Sequence, residues 1–589
     1  MPTRPLPNDP SLEHLRKDAK RLRKGVSARQ AAALAEVREF HPRGEAALTE
    51  FTLADAQLVI ARTYGFATWA QLKNHLNEIA AFVWNTPPPP DPRSTQDVFL
   101  RLACLVYGDW HRSNAGRAGR MLADHPELAR ASVYTAAATG DVETVRDMVS
   151  RDPSLINKKG GSLHWEPLLY ACYSRMAGLD PGKSTLGVAR LLLAHGADPN
   201  AGFLWNGSYA FTALTGAFGE GEDSINEPPH PECDALARLL LDAGADPNDS
   251  QALYNKHFKK DDAHLLLLLS YGLGRHKGGP WLNRVNVREF TPERLLVEEL
   301  WAAAKNNYPK RVTLLVEHGV DVNTPGLRNG RTPYEEALRA GNDEIARYLL
   351  AAGARHIELD PLEAFAAACI SGRIDDARAQ LAADRSLLDR LDDRGRIELV
   401  HRAVDSGRLD AVRFVAGLGF EVNGMIPNTA YDRTPLHNAA MSGNLDMVQL
   451  LLDLGGDLTI RDHPYRATPI GWAAHNDERH VVTYLLQFAN IFDAIRCGGV
   501  ERVATLLASD PSLASAVDES GHPLTFYLQA DMPRLTEMIQ TLVNGDVNLN
   551  QTDRTGRTLL DHANARGLTD LAAIVRAHGA RTSDESTEG

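Results

Sequence analysis

Cysteine is scarce in this sequence of 589 residues. The five cysteines lie far apart and never stand as Cys-x-x-Cys: Cys104, Cys172, Cys233, Cys369 and Cys497. An odd number without paired spacing argues against both a disulfide framework and a zinc site. Cys172 and Cys369 lie in apolar stretches, so we predict that they are small core residues.

Long apolar runs and a basic surplus are also missing. A transmembrane helix needs about 20 consecutive apolar residues, and no stretch of this sequence is that long. Residues 1–9 lack the apolar core of a signal peptide. Lys and Arg number 63 against 76 Asp and Glu, a formal net charge of -13. The average surface therefore repels polyanions, which argues against a nucleic acid or an acidic membrane as the partner. We expect a cytoplasmic protein.

Motifs of catalysis and cofactor binding are absent as well. There is no His-Glu-x-x-His and no Gly-x-Ser-x-Gly, and the spacing of His475 and His480 puts them on different helix faces. Residues 178–184 resemble a phosphate-binding loop with too few residues between the glycines, and residues 265–274 resemble a dinucleotide loop whose third glycine comes late. We interpret them as an inserted turn and a buried helix, and we predict no catalytic site, no cofactor and no metal.

One segment, however, recurs in degraded copies along most of the chain. Its best copy runs from Thr434 to Gly455. Thr434 can cap a helix, Pro435 suits the first helical turn, and Gly443 tolerates a left-handed backbone at the helix end. A second apolar helix is predicted over residues 445–454. One copy is therefore a short helical hairpin.

The spacing of this copy recurs elsewhere. From the proline position to the closing glycine there are 20 residues in Pro435 to Gly455, in Pro333 to Gly353 and in Leu559 to Gly579. The starts at Leu399, Pro435 and Pro469 are 36 and 34 residues apart. A period near about 33 residues is typical of a stacked helical repeat.

At these residues the chain resembles the ankyrin repeat family. Thr-Pro-Leu-His is complete at residues 434–437, and the ending Gly-Ala-Asp-x-Asn occurs at residues 196–200 and 244–248. The resemblance covers about residues 98–580. It implies an all-α solenoid of about 13–14 helix-turn-helix units, with a finger turn between successive units. His437 matches the family position that holds the repeat turn, so its expected role is structural.

Before the repeats, the chain has a different organisation. Ser11 can cap a helix with an apolar face that includes Leu15 and a basic side over residues 16–24, and two more helices are predicted at 53–63 and 68–76. These segments resemble those in front of bacterial ankyrin-repeat proteins. We predict an N-terminal helical domain over residues 1–84, a proline-rich linker over 85–97, the solenoid over 98–580 and a disordered acidic tail over 581–589.

Two functions fit this N-terminal domain. It can cap the first repeat, which would otherwise expose an apolar face, or residues 57–76 can act as a DNA-binding helix-turn-helix. In the second case Lys73 is the only Lys or Arg of the recognition helix, so phosphate contacts would depend on the basic residues 16–24. We favour the cap.

Two adjacent repeats are longer than the others. Pro167 to Gly196 spans 29 residues and Ala213 to Gly244 spans 31, and residues 278–290 delay the next unit. Insertions in a solenoid often lie on one face and modify binding. Four aromatic residues in or beside these loops are candidate partner-binding residues, with packing of their own loop as the alternative: Trp205, Tyr209, Phe211 and Trp281.

These features predict a non-catalytic protein-protein interaction scaffold that binds another protein through the ankyrin groove and the inserted loops. The acidic surplus favours a partner with a basic patch. A nucleic-acid-binding regulator that uses the N-terminal domain, an unrecognised enzyme, and a spacer without a ligand are the alternatives. Between Pro469 and Asn490 two units start only 21 residues apart, which predicts either a kink or a unit that has lost its turn.

Overall fold

The computed structural model describes most of the chain. The described residues are 11–84, 94–108, 114–205, 209–222, 226–275, 281, 291–429, 431–530, 532, 534–565 and 568–587. Most of the predicted linker at 85–97 and of the irregular segment at 278–290 lies outside them. The chain divides into two compact units, which are residues 1–303 with 308–331 and residues 304–307 with 332–589.

A small helical domain occupies residues 11–84 of the first unit. It contains α1 (Leu12–Ser27), α2 (Ala31–Phe40), a 3-10 helix (Gly44–Thr49), α3 (Leu53–Thr63) and α4 (Trp69–Phe82). Ser11 caps α1, and Leu15, Ala19 and Leu22 are buried on one face, as predicted. They share one core with Leu72 of α4. The helix α2 was not predicted, because its apolar face is mostly alanine.

Between residues 94 and 331 the chain consists mainly of paired helices. They are α5 (Thr95–Ala103), α6 (Ala115–Asp124), α7 (Val133–Thr139), α8 (Val142–Arg151), α9 (Pro167–Tyr173), α10 (Thr185–Ala194), α11 (Ala213–Phe218), α12 (Cys233–Asp242), α13 (Ser250–Lys256), α14 (Ala263–Ser270), α15 (Pro292–Lys305) and α16 (Pro309–Glu317). The first helices α7, α9, α11 and α13 pack successively on one another, as expected for a solenoid. The helix α5 begins inside the predicted linker because Ser94 caps it.

Among the described residues, a three-stranded sheet interrupts the helices at one finger turn. It consists of β1 (Val83–Trp84), β2 (Gly202–Trp205) and β3 (Tyr209–Thr212), with β2 antiparallel to β3 and parallel to β1. The all-α prediction is right for the repeats but did not include these strands. Aromatic residues favour extended backbone, and Phe203 of β2 pairs with Phe211 of β3.

The second unit continues the helix pairs. Its helices are α17 (Pro333–Arg339), α18 (Asp343–Ala351), α19 (Pro361–Ser371), α20 (Ile374–Ala383), α21 (Leu387–Arg390), α22 (Asp393–Asp405), α23 (Leu409–Gly417), α24 (Pro435–Met441), α25 (Leu445–Asp453), α26 (Pro469–His475), α27 (Arg479–Leu485), α28 (Ile491–Arg496), α29 (Val500–Ser509), α30 (Leu535–Asn544), α31 (Leu559–Ala565), α32 (Thr569–Ala577) and α33 (Ser583–Thr587). Short 3-10 helices occur in the two units at Pro126–Arg130, Pro153–Asn157, Pro511–Ser515 and Leu524–Tyr527. One apolar core extends from Phe365 to Ala580. Cys172 and Cys369 are buried in their first helices, as predicted.

The best-preserved repeat folds as its sequence predicts. Thr434 is the N-cap of α24, and Gly443 after the helix has a φ of 70°. The His437 Nδ1 accepts from the Thr434 backbone N–H at 3.1 Å, and Nε2 lies 3.1 Å from the Ala467 carbonyl oxygen. Since Nδ1 accepts, Nε2 carries the proton and donates to Ala467. The ring therefore connects its own helix cap to the next finger turn, which is the structural role expected for it.

The crowded segment between Pro469 and Asn490 contains a unit that has lost its finger turn. The helix α27 ends at Leu485, and α28 begins at Ile491 with Asn490 as its N-cap. The first helix α26 still contacts α28. Stacking of first helices thus continues through the shortened repeat.

The predicted disordered tail at 581–589 is partly helical, which corrects the prediction. Ser583–Thr587 forms α33, and residues 588–589 lie outside the described residues. The Thr582 N–H donates to Glu585 Oε2 at 2.9 Å, and the Glu585 N–H donates to Thr582 Oγ1 at 3.3 Å. This reciprocal cap satisfies the free N–H groups at the start of the helix. Arg576 adds an ion pair to Glu585 at 3.0 Å.

Candidate functional site

One buried arginine holds both inserted loops of the first unit. Arg175 lies in the loop between α9 and α10, and its guanidinium donates to Tyr173 O at 3.0 Å, Gly216 O at 3.1 Å and Pro228 O at 2.7 Å. Pro228 belongs to the second inserted loop, between α11 and α12. A buried charge is costly unless it is fully hydrogen-bonded. These bonds therefore keep both loops packed against the helices.

A second buried charge holds the start of the loop between α11 and α12. The Glu220 carboxylate pairs with Lys256 at 2.8 Å and with Lys259 at 3.0 Å. The Glu220 carbonyl accepts from the Tyr107 hydroxyl at 2.9 Å, and Asn255 Nδ2 donates to the same hydroxyl oxygen at 2.9 Å. Burial raises the pKa of Tyr107, so its hydroxyl keeps the proton that it donates. The loop is thereby fastened to α13.

Two of the four predicted partner-binding aromatics are core residues. Phe211 in β3 is 5% exposed, and its ring stacks on Phe203 with centroids 5.6 Å apart. Trp281 is 9% exposed, and its indole N–H donates to Asn200 O at 3.0 Å. Side chains with so little exposed surface offer almost no area to a partner. The prediction of Phe211 and Trp281 as surface anchors is therefore corrected, since both pack against their own surroundings.

The other two predicted residues lie at the open end of the same hairpin. Trp205 and Tyr209 are opposite each other across β2 and β3. Trp205 is half-buried: its ring lies 5.9 Å from Phe211 and covers Gly108, where a Cβ would be 2.1 Å from the indole. Tyr209 is 45% exposed. The hairpin thus presents a tyrosine to solvent beside a tryptophan that is anchored in the core.

Two further aromatic residues extend this surface. The helix α13 packs against β3 and carries Tyr254, and Phe258 follows its end. Their rings meet edge to face at 5.4 Å, and Phe258 is 44% exposed. Burial and a hydrogen bond to Glu222 Oε1 at 2.5 Å raise the pKa of Tyr254 to about 12. We name Trp205, Tyr209, Tyr254 and Phe258 the aromatic patch.

Sequence analysis did not find Tyr254 and Phe258 because their repeat lacks Thr-Pro-Leu-His. The helix α13 begins instead at Asp249, whose buried carboxylate accepts from the Thr215 hydroxyl at 3.1 Å. The usable signal was the pair of aromatic residues four positions apart. Phe258 lies in the turn that follows the helix, and its ring meets Tyr254 there.

The loop that resembles a phosphate site has a structural role. Lys183 forms a salt bridge with Asp141, and Ser184 caps α10 by accepting from the Gly187 N–H at 2.9 Å. In the part of the chain that the structure describes, no group of three or more His, Cys, Asp or Glu is arranged to hold a metal ion. Within the same residues, no helix is long and apolar enough to cross a membrane.

The N-terminal segment has the order of a helix-turn-helix, but carboxylates partly neutralise its basic face. The turn between α3 and α4 contains Gly65, with a φ of 87°. On α1, Lys17 pairs with Glu13 at 2.8 Å and Arg21 pairs with Asp18. Charges that are already paired release fewer counterions on DNA, so this face is a weak phosphate-binding surface.

Comparison with known protein families identifies ankyrin repeats in the middle of the chain. The family model for ankyrin repeats matches residues 298–361, 355–462 and 400–495. A palmitoyltransferase of Kluyveromyces lactis is 37% identical over 108 residues, which are 18% of this chain and 14% of that protein. The chain thus matches about 14% of the length of this relative. So short a match carries no argument about catalytic activity in this chain.

Two solved structures are similar over about a third of the chain. A structure of a predatory endopeptidase of Bdellovibrio bacteriovorus in complex with an immunity protein contains a chain with 24% identity and a TM-score of 0.24, covering 30% of this chain and 96% of that chain. An ankyrin repeat domain of Acinetobacter baumannii has 19% identity and a TM-score of 0.24, covering 31% and 98%. These scores carry no argument about overall shape or function. The three family matches show that this chain contains ankyrin repeats over residues 298–495.

Proposed function

We propose that this protein is a non-catalytic scaffold that binds another protein through its ankyrin groove and the aromatic patch. The observation that carries the proposal is the exposure of Tyr209 and Phe258 on supports held by the core. Aromatic side chains bury a large area and lose little conformational freedom on binding, so they often dominate interface energies. The loops around Arg175 are already packed before a partner binds. Binding therefore loses less conformational entropy than it would with flexible loops.

The surroundings of the aromatic patch favour a partner with basic groups. Glu222 is exposed beside Tyr254, and the whole chain has a net charge of -13. Opposite charges accelerate encounter and orient the partners. We expect a basic patch on the partner next to an apolar pocket that receives Tyr209.

The remaining parts of the chain fit the same proposal. The N-terminal domain at 1–84 acts as a cap that covers the apolar face of the first repeat. The five cysteines are free, which suits a reducing compartment such as the cytoplasm.

A capture experiment tests the scaffold function. The intact chain serves as bait in a cell lysate, beside the double variant Tyr209→Ala, Phe258→Ala. The matched control is Phe488→Ala, because Phe488 is an exposed aromatic residue outside the patch, with 52% exposure. We expect specific proteins captured by the wild type and the control to be lost with the double variant, at unchanged helical content.

The alternatives give different results in this experiment. Capture of the same proteins by the double variant would remove the aromatic patch as the binding surface. A nucleic-acid-binding regulator would retain duplex DNA in a salt-sensitive manner through residues 11–76. An unrecognised enzyme would show turnover in a purified fragment, and a spacer would capture nothing.

A further inference from the structure

A different surface, in the second unit, is built on the finger turn at 461–467. Asp462 is buried and closes this turn. Its Oδ1 accepts from the Ala467 N–H at 2.6 Å, and its Oδ2 accepts from the Trp472 indole N–H at 3.1 Å. Both carboxylate oxygens are therefore used within the turn, and Trp472 of α26 is held in one orientation.

Exposed aromatic surface lies on this turn. Tyr465 at its tip is 62% exposed, and its ring meets Trp472 edge to face at 5.5 Å. The Arg433 guanidinium covers the Trp472 ring at 4.5 Å from the centroid. This cation-π contact holds the Arg433 guanidinium against the ring.

Three arginines of this part of the second unit form no salt bridge within the described residues. Arg433 donates to Met441 Sδ at 3.4 Å, and its buried Nε has no acceptor. Arg461 donates to the Arg466 carbonyl at 2.9 Å, and Arg496 lies over the Tyr527 ring at 5.1 Å. A guanidinium in such a setting is ready to bind a carboxylate through two parallel hydrogen bonds.

Two of these arginines, Arg461 and Arg496, lie near Tyr527. The Tyr527 hydroxyl donates to Asp518 Oδ2 at 2.8 Å. Burial and this hydrogen bond raise the pKa of Tyr527 to about 12, whereas the positive charges of Arg496 and Arg461 oppose that rise. Both guanidinium groups therefore act on the hydroxyl that donates to the Asp518 carboxylate. Arg461 and Tyr465 belong to one finger turn, so charge and aromatic surface are adjacent.

We propose that this surface binds an acidic peptide segment of a partner protein. We name Arg433, Arg461, Arg496, Tyr465 and Trp472 the cationic-aromatic patch. Asp or Glu side chains of the peptide pair with the arginines, and an apolar side chain of the peptide packs on Tyr465 and Trp472. The inference rests on the proposed scaffold function, and it adds a second surface whose partner has the opposite charge to that expected at the aromatic patch.

A short peptide fits this surface better than a nucleic acid does. The excess of positive charge is local, whereas the chain as a whole carries -13. Glu519 pairs with Arg466 at 2.8 Å, and the Asp518 carboxylate accepts from the Tyr527 hydroxyl at 2.8 Å, so both carboxylates belong to this surface. A long polyanion would extend over these carboxylates and the acidic surface beyond them, and repulsion would weaken its binding.

Panning a library of random short peptides on the full-length chain tests the proposal. We expect the enriched peptides to contain several Asp or Glu residues and at least one apolar residue. Binding of a synthetic enriched peptide should weaken about tenfold for each arginine lost in Arg461→Gln and Arg496→Gln. Binding should also weaken as the Debye length falls from about 10 Å at 0.1 M salt to about 3 Å at 1 M.

Three controls separate binding from folding. Arg479→Gln removes an exposed arginine that is already paired with Asp477 at 2.9 Å, and it should leave binding unchanged. Tyr465→Ala changes an exposed side chain and should weaken binding at unchanged circular dichroism. Arg496→Lys keeps the charge but loses the fork of donors, so it should bind better than Arg496→Gln and worse than the wild type.

Several outcomes would overturn the proposal. Enriched peptides without acidic residues, or acidic peptides whose binding ignores the arginine substitutions, exclude this partner class. Binding of an oligouridylate in place of peptides, lost in the same variants, would assign the patch to nucleic acid. If binding of the enriched peptides is lost only on substitution of Tyr209 and Phe258, the proposed scaffold function is supported. The cationic-aromatic patch is then excluded as a binding surface.

Discussion

His437 shows how a single side chain joins two repeats. Its ring accepts from the Thr434 N–H and donates to the Ala467 carbonyl of the next finger turn. Burial lowers the pKa of His437 to about 4, and it lowers the pKa of His401 to about 4 as well. The folded protein therefore keeps both rings neutral in mildly acidic solution, because a charged ring would be buried.

We expect the free energy of unfolding to fall as the pH drops from 6.5 towards about 4. Each histidine takes up its proton near 6.5 in the unfolded chain but only near about 4 in the folded one. The unfolded state thus binds more protons in this range, and acid favours it by up to about 3 kcal/mol for each ring. Urea denaturation at a series of pH values measures this dependence.

The matched variant for the pH dependence is His401→Gln with His437→Gln. Its free energy of unfolding should change less between these pH values than that of the wild type. An equal change in both proteins would assign the dependence to other groups.

Trp281 and Tyr209 should differ strongly on replacement by alanine, because one is 9% and the other 45% exposed. Trp281→Ala removes a buried ring and should cost about 3–5 kcal/mol of stability. Tyr209→Ala should change stability by no more than about 0.5 kcal/mol. Urea unfolding followed by circular dichroism compares them. A negligible cost for Trp281→Ala would contradict its place in the core.

At the scale of elements, the helix pairs were predictable from the sequence, but the hydrogen bonds that hold the inserted loops were not. Caps such as Ser132 and Thr434 act within one turn of helix, so short sequence patterns reveal them. Arg175 instead connects residues about forty to fifty positions away. The sequence spacing showed that an inserted loop follows α9. It could not show which backbone carbonyl groups Arg175 binds, because any residue has a carbonyl group.

Arg175→Leu should loosen both inserted loops together. The Gly216 and Pro228 carbonyls would lose their donor in a buried place, which costs about 1–3 kcal/mol for each unsatisfied group. Hydrogen exchange should become faster in residues 174–184 and 219–232. Arg190→Leu, on the exposed side of α10, is the control and should leave exchange in both loops unchanged. Faster exchange in one loop alone would contradict a shared anchor.

For the whole molecule, the repeat architecture decides how far a local change spreads. First helices of the second unit pack on one another in sequence, as α24 does on α22 and α26. Stability in such an array is the sum of terms within repeats and between adjacent ones. The aromatic patch lies beside the acidic Glu222, and the cationic-aromatic patch contains Arg433. Substitutions in one patch should therefore leave the other patch unchanged.

Leu451→Ala should weaken the second unit in a graded manner. Leu451 is fully buried in α25, so the cavity should cost about 2–5 kcal/mol. We expect hydrogen-exchange protection to fall most in α24 to α27 and least in α31 and α32. Mass spectrometry of exchanged peptides measures this profile. A uniform loss across the unit would show that it unfolds as one cooperative body.

The sequence by itself determined the repeat register, the helix ends and the place of the inserted loops. Thr434, Pro435 and Gly443 set those features through bonds within a few residues, which local pattern reveals. Only the tertiary structure decided that Phe211 is buried while Tyr209, two residues earlier, faces solvent. It also placed the Arg433 guanidinium over the Trp472 ring, 4.5 Å from its centroid. Burial and pairing depend on which distant side chains cover a residue, and their free energy arises only when the repeats pack.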